Sequence, residues 1–344
     1  MPEARERILI VSSFPPRHCG IGAYASAQAD RLRAAGHDVV VLSPPDGEGD
    51  ERRSFIGGAA FRHAAGIGDR FDRVVVHYET GLYFRPRSPL THVLTSASLL
   101  YLTLRRSNVE IVLHEANVPP NRWRPDYRML GMAFARARLS FHTDAERVAL
   151  ERGYRIRTRW RLIDHSEGVT VHARLSRARA RERLGLDVDG PLFVCAGFLQ
   201  PGKGFDRAIR AFGVAGSPGR LYVVGSVRIP NESTDRWVQD LRGLAAATPG
   251  VTLLEAFVSD EDFDAWVEAA DRMVFPYRRA WSSGALARSQ RLGTPALVSD
   301  AGGLAEQAGP DDVVFETDEA LAELFARAVP AGGLADGGRP GGER

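Results

Sequence analysis

The chain has 344 residues, more than one ordinary hydrophobic core needs, and this length fits two domains of common size. Its 45 Lys and Arg residues nearly balance 43 Asp and Glu residues, and the net charge of +2 gives no general case for a nucleic-acid partner. No run of about 18 apolar residues predicts a transmembrane helix, and the charged start of the chain does not resemble a signal peptide. We therefore expect a cytoplasmic protein.

Apolar runs typical of strands alternate with helix-period segments along the whole chain. The predicted strands cover residues 8–11, 38–42, 73–77, 110–114 and 139–143 in the first half, where one helix is predicted over residues 23–35, and residues 192–196, 220–225, 251–255, 272–275 and 296–299 in the second. This alternation predicts an α/β fold in which helices cover parallel sheets. We expect two domains, residues 1–165 and 166–328, joined near residues 161–171 and followed by a disordered Gly-rich tail, residues 329–344.

A glycine-bounded loop follows the predicted strand at residues 192–196. It contains Lys203, with Gly197 at its start and Gly204 directly after the lysine. A strand, a Gly-rich loop with one Lys and then a helix is how many nucleotide-binding α/β folds hold phosphate. The loop is neither a Walker A motif nor a Gly-x-Gly-x-x-Gly fingerprint, and a plain turn is the alternative interpretation.

A second loop–helix joint follows the predicted strand at residues 272–275. A helix is predicted to begin at Ser282, Ser283 and Gly284, after a short loop with two arginines, Arg278 among them. The open N–H groups and the dipole of a helix start attract anions, and Arg288 adds positive charge. The alternative is an ordinary strand–loop–helix joint with solvated arginines.

Polar residues close two predicted strands of the first half. His77 and His114 lie at the edge where open parallel sheets bind ligands, and Glu79 closely follows His77. Gly20 and Gly22 follow the first strand and open a helix, where a phosphate or sugar can approach. A structural histidine and a plain turn are the alternatives. No His and Cys pair has metal-ligand spacing, so we predict no metal site and expect both cysteines to be reduced thiols.

Five stretches, taken in order, resemble the family-4 type of retaining glycosyltransferases with the GT-B fold. They are residues 8–24, 111–115, 196–206, 275–288 and 293–306, the last with a Gly-x-Pro strand and a Gly-Gly-x-x-Glu turn. The resemblance implies two Rossmann-like parallel-sheet domains that face each other across a cleft. It also implies transfer of a sugar from a nucleotide-diphosphate sugar to a small-molecule or glycan acceptor, with retention of anomeric configuration. No cofactor or metal is implied.

The resemblance also implies roles for individual residues. His114 would donate a hydrogen bond to the transferred sugar, and Lys203 would hold the donor diphosphate. Arg228 would assist on the phosphates, because Phe198 replaces the usual loop arginine of the family. The other implied positions are Gly20, Gly22, Gly197, Gly204, Val258, Ser282, Ser283, Gly284, Arg288, Asp300, Gly302, Gly303 and Glu306 for the donor, and His77 and Glu79 for the acceptor.

The sequence departs from the family at the usual pair of glutamates. Placing the Gly-x-Pro strand on the family pattern puts Ala280 and Arg288 at these two positions, so ribose recognition lacks its usual carboxylate. One alternative is therefore a GT-B pseudo-glycosyltransferase that joins a non-sugar ring, or a nucleotide-sugar isomerase. Another is a non-catalytic nucleotide-sugar-binding protein. No nucleic-acid partner is expected, and no pattern indicates a peripheral membrane contact, which is left open.

Overall fold

The computed structural model of the chain describes residues 4–17, 19–85, 88–116, 118–121, 123–188, 190–227 and 231–327. The chain divides into two compact units. The first unit comprises residues 1–171, 279–291 and 300–309, and the second comprises residues 172–278, 292–299 and 310–344. The predicted domain boundary at residues 165 and 166 stays a prediction, and the predicted disordered tail, residues 329–344, lies outside the described residues.

Seven parallel strands form the sheet of the first unit. They are β1 (Arg7–Val11), β2 (Asp38–Ser43), β3 (Glu51–Arg52), β4 (Arg73–Tyr78), β5 (Val109–Leu113), β6 (Arg138–Phe141) and β7 (Arg159–Leu162). Their order is β3-β2-β1-β4-β5-β6-β7. The winding of the chain therefore reverses between β1 and β4, and open α/β sheets bind ligands beside the carboxyl ends of the strands at such a point.

Helices pack on both faces of this sheet. They are α1 (Gly20–Ala34), α2 (Ala59–Ile67), α3 (Thr80–Tyr83), α4 (Pro89–Arg105), α5 (Pro125–Arg136) and α6 (Asp144–Tyr154), with 3-10 helices at Ile56–Gly58, Gly68–Arg70 and His165–Gly168. On β1, Leu9 packs in one core with residues of α2, α4, α5 and α6, whereas Ile8 and Ile10 pack in a second core with residues of α1. Because both faces are buried, the central strands are continuous apolar runs.

Six parallel strands form the sheet of the second unit. They are β8 (Leu192–Ala196), β9 (Arg220–Gly225), β10 (Val251–Glu255), β11 (Arg272–Phe275), β12 (Ala296–Ser299) and β13 (Val313–Phe315). Their order is β10-β9-β8-β11-β12-β13, so the winding reverses between β8 and β11. The remaining helices of the chain are α7 (Arg177–Arg183), α8 (Phe205–Val214), α9 (Glu232–Ala247), α10 (Asp260–Ala269), α11 (Gly284–Leu292), α12 (Leu304–Gln307) and α13 (Asp318–Arg327), with a 3-10 helix at Pro201–Lys203. Of these, α12 and all of α11 except its last residue belong to the first unit.

The predicted α/β fold with parallel sheets is confirmed. The five strands predicted in the second half coincide with β8 to β12, and the five predicted in the first half match β1, β2, β4, β5 and β6 to within about two residues at each end. The sequence does not predict β3, β7 and β13. All four residues of β7 are exposed and two of them are arginines, so no apolar run marks this strand. β3 has two residues and β13 has three, too few to form a pattern.

The described part of the chain contains neither a membrane-spanning helix nor a cluster of metal ligands. No helix there is long and apolar enough to cross a bilayer. No group of three or more His, Cys, Asp and Glu side chains there could hold a metal ion. Cys195 is fully buried in β8, and burial raises the pKa of its thiol, so this side chain behaves as a small apolar group.

Glu146 is a buried carboxyl group on α6. Its side chain is fully excluded from solvent. Burial raises its pKa from 4.5 to about 8, although the backbone N–H of His142 donates to Oε2 at 3.2 Å and opposes the rise. The folded protein therefore keeps a proton that the unfolded chain releases at lower pH.

We expect Glu146→Gln to remove a pH dependence of stability. Because the folded pKa lies above the unfolded one, the stabilisation from the protonated carboxyl is complete below about pH 4.5 and is lost as the pH rises to about 8. Relative to the variant, the free energy of unfolding of the wild type should fall by about 1.4 kcal/mol per pH unit within this window. Urea unfolding of both proteins at several pH values measures the difference. A difference that does not change with pH would contradict the shifted pKa.

Candidate active site

The loops after β8 and β11 lie side by side at the reversal of winding in the second sheet. β8 and β11 are neighbouring parallel strands, and the amide of Arg278 donates to the carbonyl oxygen of Gly202 at 2.9 Å. Gly197 follows β8 with a φ of 136°, which side-chain-bearing residues rarely adopt. The fold therefore places the loop that contains Lys203 where open α/β sheets bind their ligands.

Gly204 closes the Lys203 loop directly before α8. Its φ is 64°, and a Cβ atom at this position would lie 2.0 Å from the carbonyl oxygen of Pro276. Both the left-handed backbone and the close approach of the β11 loop therefore require glycine. Backbone geometry therefore explains why position 204 is a glycine. The predicted contact of Gly204 with the donor stays a prediction.

We expect Gly204→Ala to destabilise the protein more than Gly185→Ala. Gly185 has the same φ of 64° but no atom within 4 Å of its Cβ position, so its substitution carries only the left-handed strain of about 1–2 kcal/mol. Gly204→Ala adds the clash with Pro276 and should cost at least about 2 kcal/mol more. Denaturant unfolding of the two variants measures both costs. Equal losses of unfolding free energy in the two variants would show that the loop after β11 shifts without an energetic cost.

Lys203 is the only lysine of the chain, although the chain has many arginines. Its Nζ lies 3.8 Å from the ring centroid of Tyr277, a buried residue of the loop after β11. Among the described residues, no carboxylate forms an ion pair with Lys203, so its charge is held over an aromatic face and is not neutralised. An ammonium with this environment can bind an anionic ligand.

The arginines beside Lys203 are neutralised by carboxylates. Arg278 makes a two-pronged contact with Asp206, with both N···O distances at 2.7 Å. Burial by itself would raise the pKa of Asp206, but the hydrogen bonds and charge of Arg278 hold it below the ordinary value. Arg207 likewise pairs with Asp318 at 2.6 Å. Because Asp206 already binds the guanidinium of Arg278, this arginine adds no uncompensated positive charge to the loop after β11.

A row of four histidines lies at the carboxyl edge of the first sheet. His77 ends β4, and His114, His142 and His165 follow β5, β6 and β7. Successive ring centroids are 5.2, 5.4 and 4.2 Å apart. The ring of Tyr24, on α1, meets all four edge-on at centroid distances from 5.1 to 5.6 Å. The sequence predicts only His77 and His114 at this site.

Burial keeps three of these imidazoles neutral. It lowers the pKa of His77 from 6.5 to about 3. The pKa values of His114 and His142 lie well below the ordinary value, mainly because of burial and to a smaller extent because of the neighbouring histidines. Each neutral ring therefore carries one N–H and one lone pair in the plane of the ring.

Gln28 and His77 determine which nitrogen of His114 carries the hydrogen. Oε1 of Gln28 lies 2.9 Å from Nε2 of His77 and can only accept, so His77 donates through Nε2. Nδ1 of His77 then accepts from Nε2 of His114 at 2.9 Å. A neutral His114 has no second N–H, so toward a ligand its Nδ1 would accept, which differs from the donor role that the resemblance implies. Gln28 is a residue that the sequence analysis missed.

The start of α11 lies next to this row. A Cβ atom on Gly284 would be 3.3 Å from Nε2 of His165. The amide of Ser283 donates to Oε1 of Gln307 at 2.7 Å, and its hydroxyl accepts from the amide of Leu286 at 3.3 Å. Ser283 is thus the cap of α11, while the exposed Gly284 is the part of this helix start that a ligand can reach.

Glu306 and the Gly302-Gly303 turn have structural partners within the first unit. The two carboxylate oxygens of Glu306 accept from the amides of Asp144 and Ala145, at 2.6 and 2.9 Å, and so neutralise the start of α6. Gly302 has a φ of 65°, and a Cβ atom there would lie 2.0 Å from the carbonyl oxygen of Ala280. These contacts explain the Gly-Gly-x-x-Glu pattern without a sugar, so donor binding by these residues stays a prediction.

The other predicted residues lie at ends of elements. Glu79 accepts from the amide of Gly81 at 2.8 Å and caps α3. Gly20 begins α1 with open space at its Cβ position, whereas a Cβ atom on Gly22 would lie 3.3 Å from the backbone nitrogen of Phe14. Arg288 lies on α11, Ser282 directly precedes its cap, Asp300 directly follows β12 and Val258 lies between β10 and α10. Arg228 lies outside the described residues.

Comparisons with known protein sequences point to one enzyme class. Residues 190–330 match the family model described as Glycosyl transferases group 1. A D-inositol 3-phosphate glycosyltransferase of Acidothermus cellulolyticus is 37% identical over 144 residues, covering 37% of this chain and 30% of the relative. A protein of the same name from Xylanimonas cellulosilytica is 31% identical over 131 residues, covering 38% and 30%. The aligned part is thus less than a third of the length of these relatives.

Solved structures resemble almost the whole chain. The sucrose-phosphate synthase of Thermosynechococcus elongatus superposes with a TM-score of 0.72 at 17% identity, covering 94% of this chain and 89% of that one. Anabaena HepE in complex with UDP-glucose superposes with a TM-score of 0.68 at 15% identity, with the same coverage. Two parallel-sheet units of this kind define the GT-B fold of glycosyltransferases, and the predicted fold class is confirmed.

Proposed function

We propose that this protein is a glycosyltransferase that moves a sugar from a nucleotide-diphosphate sugar to a small-molecule or glycan acceptor, with retention of anomeric configuration. The observation that carries the proposal is Lys203, a lysine without a carboxylate partner among the described residues, held over Tyr277 at the switch point of a glycosyl transferases group 1 domain. In the proposal, residues 166–328 bind the donor nucleotide and residues 1–165 provide the acceptor side.

Lys203 would stabilise the departing diphosphate. When the bond between the anomeric carbon and the phosphate oxygen breaks, negative charge grows on that oxygen. A cation that is already in position lowers the barrier, because no reorganisation is needed as the charge develops. The exposed Gly284 amide at the start of α11 is a second donor to the same charge in this proposal. No metal or other cofactor has a part in it.

His114 would orient the transferred sugar. Its Nε2–H is used by His77, so Nδ1 is free to accept from a sugar hydroxyl. A neutral acceptor fits a site where positive charge develops on the sugar ring, since a protonated imidazole would oppose that charge. Nothing in this arrangement requires a protein nucleophile, which agrees with retention through attack on the same face of the sugar as the leaving group departs.

The comparisons suggest which donors to test first. HepE binds UDP-glucose, and the two curated relatives transfer sugars to D-inositol 3-phosphate. UDP-glucose with a polyol phosphate is therefore the first pair to test. Incubation of the protein with a panel of nucleotide sugars and acceptors, followed by mass spectrometry, should give a new glycoside. Proton NMR of its anomeric coupling then distinguishes retention from inversion.

The replaced glutamate pair supports a second candidate. Ala280 and Arg288 stand where the family pattern has two glutamates, so a pseudo-glycosyltransferase or a nucleotide-sugar isomerase is an alternative reaction on the same fold. In the same experiment an altered nucleotide sugar without a glycoside would favour the isomerase. If nucleotide-linked non-sugar rings are added to the panel, a product that joins such a ring to the acceptor would favour the pseudo-glycosyltransferase. Tight nucleotide-sugar binding without turnover would favour a non-catalytic binding protein.

A further inference from the structure

The outer face of α4 is apolar over four turns. Leu99 and Leu102 are buried in the core of the first unit. On the opposite side the exposed residues are Leu90, Val93, Leu94, Tyr101 and Leu104, with Leu90 and Leu104 more than half exposed at 68% and 55%. Surface helices normally place polar residues there. The helix contains no acidic residue, and its only arginine is its last residue, Arg105.

The neighbouring helix α5 continues this face. It packs along α4 in the same core, through Leu130 and Phe134. Its exposed residues combine apolar Met132 with Arg128 and Arg136, and Trp123, just before the helix, is 69% exposed. The single acidic residue of α5, Asp126, is buried and accepts from Arg124 at 2.8 and 3.2 Å. The exposed surface of both helices is therefore apolar and basic.

A basic depression lies at the carboxyl ends of α4 and α5. Its volume is about 500 Å³, and Leu104 of the apolar face lines it together with Arg136, Arg157 and Arg159. Arg159 donates to the carbonyl oxygen of Arg136 at 2.5 Å. No carboxylate is among the lining residues. Guanidinium groups arranged in this way bind phosphate oxygens well.

We propose that the α4–α5 face docks on a lipid bilayer that contains anionic phospholipids. The apolar residues of α4 enter the boundary between headgroups and acyl chains, and the arginines of the depression bind lipid phosphates. Exposed Tyr101 and Trp123 fit this position, because aromatic side chains concentrate at the membrane interface. A second copy of the chain fits less well, since a symmetric contact would bring the arginines of both copies together.

Vesicle flotation tests the proposal with the full-length protein. We expect it to float with vesicles of phosphatidylcholine and phosphatidylglycerol, and to bind phosphatidylcholine vesicles at least about tenfold more weakly. Binding should weaken as salt is raised. The paired substitution Leu90→Gln and Leu94→Gln should lower binding at least about tenfold, because two exposed leucines no longer enter the interface. Arg157→Gln with Arg159→Gln should remove the preference for phosphatidylglycerol.

Two variants serve as matched controls for these changes. Val214→Gln alters an 80% exposed apolar residue of α8, and Arg179→Gln alters an arginine of α7 whose side chain is 73% exposed. Neither lies on the α4–α5 face, so both should float like the wild type. Equal flotation of all variants would overturn the proposal. A second result would also overturn the proposal. In it the wild type does not float but forms a dimer in sedimentation, and the paired substitution Leu90→Gln and Leu94→Gln abolishes the dimer. The α4–α5 face would then bind a second copy of the protein.

Discussion

Lys203→Ala is expected to lower kcat/KM for the nucleotide-sugar donor by roughly 100- to 1,000-fold. Loss of a charge-assisted phosphate contact costs about 1.5–3 kcal/mol, which is roughly 10- to 100-fold in binding. A further loss arises because the missing charge would act most strongly when the diphosphate departs. Initial rates and calorimetry with UDP measure the two parts separately. Melting temperature should change little, because Lys203 forms no ion pair with a described carboxylate.

The NMR signal of Lys203 can test the same contact with the diphosphate in the absence of any reaction. Because Lys203 is the only lysine, reductive methylation with ¹³C-formaldehyde labels it and the N-terminal amine alone. The lysine signal should move when UDP is added and should be missing from Lys203→Ala. The matched variant Tyr277→Phe keeps the aromatic ring beneath the ammonium and should preserve the shift. If the lysine signal does not shift when UDP is added and Lys203→Ala has normal turnover, Lys203 does not bind the donor diphosphate.

His114→Ala is expected to lower kcat/KM by roughly 10- to 100-fold, the cost of one hydrogen bond to the transferred sugar. It should also lower stability modestly, because Nδ1 of the buried His77 loses its donor. Specific activity and thermal unfolding measured on the same samples distinguish the two effects. A large loss of stability with normal specific activity in the folded fraction would mean that His114 is a structural residue.

The hydrogen-bond chain behind His114 has its own test. ¹⁵N NMR of histidine-labelled protein should find His77 and His114 protonated at Nε2 and unprotonated at Nδ1. Gln28→Met removes the acceptor of the chain and should populate the other tautomer, with a lower kcat. Gln28→Glu keeps an accepting oxygen and should preserve the Nε2–H form. Protonation of His114 at Nδ1 in the wild type would contradict the proposed acceptor role.

The fold is largely predictable from the sequence because buried parallel strands are continuous apolar runs. All ten predicted strands exist, and the missed strand β7 is the one whose side chains all face solvent. Local signals also mark the ends of strands, which is how His77, His114 and the Lys203 loop were found. These signals depend on residues that are neighbours in sequence, so they mark single strands and loops.

The candidate site is less predictable because its contacts join distant parts of the chain. Gln28 and His77 are 49 residues apart, and Asp144 and Glu306 are 162 apart. No local pattern reveals that Asp206 binds Arg278 or that Glu306 caps α6. His142 and His165 follow β6 and β7 just as His114 follows β5, so the order of the strands, once known, would have indicated the whole row.

The charged strand β7 also has a consequence for how the protein behaves in crowded solution. β7 pairs with β6 alone, so its other edge presents backbone N–H and C=O groups to which no described strand pairs. Such an edge is a template for a strand from another molecule. Arg159 places positive charge beside this edge, whereas the charge of Arg161 is balanced by Glu110 at 2.5 Å. Two copies that met edge to edge would bring their Arg159 side chains together. The charged composition that kept β7 from forming an apolar run therefore also opposes aggregation of the folded protein.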